Sequence, residues 1–113
     1  MPSIKTIESQ MRQILSSLPR SADEIAAKLK ADGWRCQAFP NGDPLAKMIR
    51  HLIVPRPDSV DYFTRSANNL EIICLFDGGC ARIQARVNAH QPVLDFIKRW
   101  ESGEFPELVL PEV

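Results

Sequence analysis

Ser21-Ala22-Asp23-Glu24-Ile25-Ala26-Ala27-Lys28-Leu29 and, after a polar loop, Asp43-Pro44-Leu45-Ala46-Lys47-Met48-Ile49-Arg50-His51-Leu52 are the stretches that decide the fold class. Each opens on a residue that caps a helix and continues with apolar residues on one face. Ser21 followed three residues later by Glu24 is a capping box, and Asp23 and Glu24 suit the positive end of the helix dipole. Ala22, Ile25, Ala26 and Leu29 make the buried stripe, and Gly33 supplies the left-handed residue that stops the helix. In the second stretch Asp43 is the cap and Pro44 takes the first helical position, where a missing N–H costs nothing. Leu45, Met48, Ile49, Leu52 and Ile53 face inward, while Lys47, Arg50 and His51, three and four residues apart, share an outer face. Pro55 and Pro57 end this helix.

Upstream, Ile4, Ile7, Met11, Ile14, Leu15 and Leu18 recur at helical spacing behind Ser3, predicting a helix over 4–17 that breaks at Pro19. Downstream of Pro57 the period changes. Val60 to Thr64 is rich in β-formers, Ala67-Asn68-Asn69 is a turn signal, and Asp77-Gly78-Gly79 is a hairpin turn. The nearly unbroken apolar run from Leu70 to Phe76 reads as a central strand covered on both faces. From Cys80 to Val87 the pattern alternates: Ala81, Ile83, Ala85 and Val87 point one way and Arg82, Gln84 and Arg86 the other. A last helix starts near Pro92, carries Val93, Leu94, Phe96, Ile97 and Trp100 inward, and ends at Gly103. The expectation is one α+β domain over 1–113. It comprises three N-terminal helices (1–56), a three-stranded antiparallel sheet (57–90), and a C-terminal helix with an extended tail (91–113).

Bulk properties bound the function. With 113 residues, 44% hydrophobic and 25% charged, the chain is long enough to bury a core without a metal or disulfide. No apolar run is long enough for a membrane span, and the amphipathic first 30 residues do not read as a secretory signal. Three cysteines without metal-type spacing suit a reducing, cytoplasmic setting. Net charge is zero, yet residues 1–56 hold nine Lys/Arg against five Asp/Glu and residues 57–113 the reverse, a basic head on an acidic body.

Chemistry-bearing patterns are sparse. Cys36, His51, Cys74, Cys80 and His90 show no metal-ligand spacing, and no cofactor motif is present. Gly78-Gly79 precedes a strand and not a helix, so it is a turn and not a phosphate cradle. Cys36 in a loop and His51 on the next helix are the one pairing that a cysteine-dependent hydrolase could use.

Three helices followed by a strand hairpin is also the order of a winged helix. In that reading 44–53 is the recognition helix, with Lys47, Arg50 and His51 toward DNA and Arg82 and Arg86 adding phosphate contacts. Against it stand the zero net charge and a connector of about ten residues where a helix-turn-helix has three or four. Trp34 and Phe39 in the connector, and Phe105 and Leu108 in the tail, either complete the domain's own core or reach a protein partner. A non-catalytic binding protein, with a homodimer compatible, is the favoured expectation; DNA binding is the alternative.

The segment from Ser21 to Ala26, the Gly33 stop, Asp43-Pro44-Leu45-Ala46, and the closing Val93-Leu94-Asp95-Phe96-Ile97 with Gly103-Glu104-Phe105-Pro106-Glu107-Leu108 resemble a group of short uncharacterised bacterial proteins. Those proteins tend to carry Cys where this chain has Asp43. The resemblance implies no activity.

Overall fold

The computed structural model describes residues 2–65 and 68–110. Ala67 of the expected turn and Pro111 of the tail lie outside them. Helices α1 (Ile4–Ser16), α2 (Ala22–Ala31) and α3 (Pro44–Leu52) come first. Strands β1 (Ser59–Thr64), β2 (Asn69–Phe76) and β3 (Ala81–Asn88) follow, then α4 (Gln91–Glu101). Short 3-10 turns at Asp77–Gly79 and Pro106–Leu108 join β2 to β3 and close the tail. The architecture is α+β, with four helices and one antiparallel sheet in the order β1-β2-β3 among the described residues.

Local chemistry sets the helix ends. The Ser3 hydroxyl accepts the Thr6 N–H (3.2 Å), the Ser21 hydroxyl the Glu24 N–H (3.1 Å), and the Asp43 carboxylate the Ala46 N–H (3.0 Å). The box at Ser21 closes differently from expectation. The hydroxyl also donates to the Glu24 carboxylate (3.2 Å), where Glu24 was expected to accept from the Ser21 backbone. At the far end of α2, Gly33 takes φ +80°, so the Trp34 N–H reaches back to the Leu29 carbonyl (2.9 Å) and the Gly33 N–H to Lys30 (3.1 Å).

The helices lie on one side of the sheet. Helix α1 sits on β3, α3 on β1, and α2 pairs with α4. The inward residues of the strands, Leu70, Ile72, Cys74 and Phe76 on β2 with Ile83, Ala85 and Val87 on β3, join Ile7, Met11, Leu15, Ile25, Leu29, Ile49, Phe96 and Trp100 in one apolar cluster. Each buried Val, Leu, Ile, Met or Phe side chain among them contributes about 1.5–3 kcal/mol by leaving water.

The tail is not free. Cys36 and Val109 form a parallel bridge, in which the Cys36 N–H donates to the Leu108 carbonyl (3.0 Å) and the Leu110 N–H to the Cys36 carbonyl (2.8 Å). Cys74 and Cys80, at either end of the hairpin turn, are both free thiols, Cys74 buried opposite Ile83 and Cys80 exposed.

The sheet corrects one expectation. Strand β2 is central but is covered by helices on one face only. On the other face Ile73 and Leu75 are half-buried, flanked by Ser59, Asp61 and Phe63 of β1 and by Arg82, Gln84 and Arg86 of β3. The unbroken apolar run overstated burial because cross-strand neighbours alone shield the outer side chains.

On this open face Glu71 is 2% exposed. Its carboxylate accepts from Arg65 Nε (2.8 Å), from an Arg86 guanidinium nitrogen (3.3 Å) and from the Gln84 amide. The Arg65 hydrogen bond, more than any other influence, holds the Glu71 carboxyl below the usual range despite burial. A carboxylate with a depressed folded pKa stabilises the fold above its unfolded value, and that contribution is lost as pH falls through the folded pKa. Urea titrations of wild type and Glu71→Gln from pH 7 down to about pH 3 check this. The wild type should lose more stability over the acid limb than the variant.

Candidate functional site

The connector between α2 and α3 is held at both ends and in the middle. Its start is tied to the tail by the Cys36–Val109 bridge. A turn closes from the Asn41 N–H to the Ala38 carbonyl (2.9 Å). Gly42 lies so close to the backbone of Gln37 that a Cβ would stand 2.5 Å from the Gln37 carbonyl oxygen, so only glycine fits without a shift of the main chain. The Trp100 indole N–H then donates to the Gly42 carbonyl (3.2 Å). The next residue, Asp43, caps α3 with one oxygen and accepts the Tyr62 hydroxyl with the other (2.5 Å).

These contacts frame an open cleft of about 410 Å³ between the connector, α3 and β1. Phe39 stands at its lip, Asp43 and Tyr62 at its wall, and Lys47, Arg50 and Glu101 around it. Burial raises the Asp43 carboxyl above its ordinary value, opposed by the hydrogen bonds it accepts from Tyr62 and Ala46. Burial, followed by the Asp43 charge, raises the Tyr62 phenol well above its own. Tyr62 is therefore a fixed hydrogen-bond donor near neutral pH and not a phenolate.

The side chains expected to read DNA are engaged elsewhere. Lys47 Nζ donates to the Arg35 carbonyl (2.8 Å) and Arg50 Nε to the Asp58 carbonyl (3.0 Å), pinning the connector and the approach to β1. His51 rests against Trp34 with ring centroids 4.9 Å apart. Desolvation, then the charges of Arg56, Arg50 and Lys47, lowers its pKa and favours the neutral imidazole. Arg82 and Arg86 project from the open sheet face at the β3 side, whereas α3 packs behind β1 on the covered face. The two cationic groups thus point to opposite sides of the sheet and do not form one surface.

The other expected residues divide as well. Cys36 is buried, and burial, reinforced by the Asp43 charge, pushes its thiol up to about 11, so it is not a thiolate at neutral pH. Among the described residues no hydrogen bond joins it to His51. Phe105 and Leu108, which the sequence assigned either to the domain's own core or to a partner, are buried in this chain's own core. Phe105 stacks on Phe96 (5.2 Å between centroids) with the Arg99 guanidinium over its outer face (4.7 Å), and Leu108 is fully enclosed. The tail carries them there because its bridge to Cys36 folds it back along the body. Trp34 is half-buried against His51, while Phe39, expected to pin the connector to the core, is 47% exposed.

Sequence reasoning missed the Asp43–Tyr62 bond and the role of Gly42. A signal for the first exists: alternation in β1 turns Tyr62 inward, and a buried phenol needs an acceptor. Among the described residues no group of three or more His, Cys, Asp or Glu is placed to hold a metal ion, and no helix is long and apolar enough to cross a membrane.

The two duties of Asp43 can be separated by substitution. Asp43→Ala removes the cap and orphans the Tyr62 hydroxyl, and should destabilise the protein by about 1–2 kcal/mol. Asp43→Asn keeps a capping oxygen and removes a charge that burial disfavours, so its stability at pH 7 should stay within about 1 kcal/mol of wild type. Urea denaturation of both variants measures the difference. Compared with known proteins, the chain matches no family model, no curated protein and no solved structure.

Proposed function

We propose that this protein is a non-catalytic interaction module that binds a protein partner through the connector loop and the cleft beside it. The observation that carries this reading is Phe39. An aromatic side chain 47% exposed stands on a loop whose backbone is fixed by the Cys36–Val109 bridge, the Gly42–Gln37 approach and the Trp100 indole. Exposed aromatics held in place make efficient anchors, because they bring a large apolar area and leave little conformational freedom to be lost on docking.

The polar groups nearby support binding over catalysis. Asp43 and Tyr62 are committed to each other, and the Cys36 thiol is buried and protonated. Lys47 and Arg50 serve main-chain carbonyls, and the remaining charged rim includes the exposed Glu101. This chemistry fits a protein surface that offers an apolar pocket for Phe39 beside a basic side chain for Glu101. It does not favour a phosphate backbone. Free cysteines at 36, 74 and 80 support placing the protein in the cytoplasm.

Site-specific photo-crosslinking tests the assignment. A benzophenone amino acid is placed at position 39 and, as a control, at the exposed Lys30, in extract of the source cells. A crosslinked protein species specific to position 39 is expected. Excess wild-type protein should compete it away, and excess Phe39→Ala should compete at least about tenfold more weakly. Equal labelling from both positions, or equal competition by Phe39→Ala, would overturn the proposal.

A further inference from the structure

The open face of the sheet is a second surface, which meets the connector cleft only along β1, where Ser59 and Asp61 border both. Its middle column on β2 carries Leu75 and Ile73, half-buried, then Glu71, whose charge is matched by Arg65 and Arg86. The register sets three rows across the strands: Ser59, Leu75 and Arg82; Asp61, Ile73 and Gln84; Phe63, Glu71 and Arg86. The two outer columns differ in charge. On β1 the exposed Asp61 accepts the Tyr62 N–H (2.9 Å), and among the described residues no cation pairs with it. On β3 the exposed Arg82 donates to the Gln84 side chain (3.2 Å) and meets no carboxylate among the described residues. An unpaired anion and an unpaired cation therefore stand on opposite borders of one partly apolar face.

We infer that this face associates with a second copy of the chain, around a two-fold axis parallel to the strands. Two sheets stacked face to face lie about 10 Å apart with their strands nearly aligned. Rotation about an axis along the strands places β1 of one copy over β3 of the other and β2 over β2. Ile73 and Leu75 then meet their own counterparts across the axis. Asp61 of each copy faces Gln84 of the other, with Arg82 and Arg86 one row away, about 7 Å along the strand and within the reach of an arginine. Phe63 faces Arg86, an arrangement like the one Arg65 already makes over the Phe63 ring (4.7 Å) in the single chain.

The alternative in-plane axis, across the strands, sets Asp61 over Asp61 and arginine over arginine. Like charges oppose that choice, so electrostatics selects the first arrangement.

Size sets the strength. Three strands of up to eight residues give a footprint of roughly 400 Å² per chain from strand rise and spacing, against about 800 Å² per partner in a standard stable interface. The association is thus reversible and concentration-dependent. It goes beyond the partner-binding role of Phe39 and does not involve that side chain, so Phe39→Ala should leave it unchanged, although Ser59 and Asp61 of β1 border the cleft as well.

Sedimentation velocity on the full chain, from about 10 μM to about 1 mM in low salt, is the test. The weight-average mass should rise from 12.7 kDa toward twice that value across the series. Asp61→Arg alone and Arg82→Asp alone should each weaken association at least about tenfold. An equimolar mixture of the two should restore it, because both cross-axis contacts regain opposite charges. Should either reversal variant fail to fold, Ile73→Glu sets like charges against each other on the axis and should abolish the dimer. A chain that stays monomeric throughout, a dimer indifferent to these substitutions, or a mixture that does not recover would each overturn the inference.

Discussion

A buried indole must find an acceptor for its N–H, and in this protein that requirement links the last helix to the connector between α2 and α3. Trp100 is almost wholly enclosed, and its indole N–H donates to the Gly42 carbonyl of the connector. That bond fixes the residue immediately before Asp43. Asp43 in turn fixes the start of α3 and, through Tyr62, the seating of α3 on β1. The last helix, the connector, the third helix and the sheet therefore share one polar thread through an otherwise apolar interior. Gly42 is the point on that thread with no tolerance, because the Gln37 backbone occupies the space a side chain would need. Buried polar chains of this kind specify one arrangement when every member is satisfied, and among the described residues no buried side-chain nitrogen or oxygen lacks a partner.

The second constraint is numerical. A three-stranded sheet with four helices on one side leaves its other side to the strands' own side chains. This chain meets that with a polar ladder on β3, a carboxylate sunk among arginines, and only two half-buried aliphatic residues in the middle. The result is a surface intermediate between core and solvent-facing sheet. The helical side, by contrast, is closed by the returning tail, whose Phe105 and Leu108 fill space beside α4 and α2.

The helix boundaries are legible in the sequence because their determinants are local. Ser21 with Glu24, Asp43 with Pro44, and Gly33 each act within a turn of their own position. The strand order follows from short connections and from the clean alternation of β3. What the sequence does not disclose depends on long-range placement. The apolar run of β2 is the same whether one face or two are covered by helices. Asp43 reads as a cap from its neighbours alone, while its second role needs Tyr62, 19 residues away. Lys47 and Arg50 look like a solvent-facing ridge until the carbonyls of Arg35 and Asp58 are brought beside them. Phe39 and Phe105 are indistinguishable as loop aromatics in sequence. Only the return of the tail onto Cys36 decides that one is enclosed and the other displayed.

The distribution of sulfur has a practical consequence. Cys36 and Cys74 are buried, with thiols pushed up to about 11, whereas Cys80 is exposed at the tip of the β2–β3 turn. An alkylating fluorophore or spin label meets one accessible position on the folded native chain, with no cysteine to be engineered out. That position lies at the end of the sheet, adjoining the open face and remote from the connector in sequence. A probe there would report distance and orientation across a pair of sheets directly, and the two shielded thiols would become reactive only as the core opens, giving a chemical clock for local unfolding.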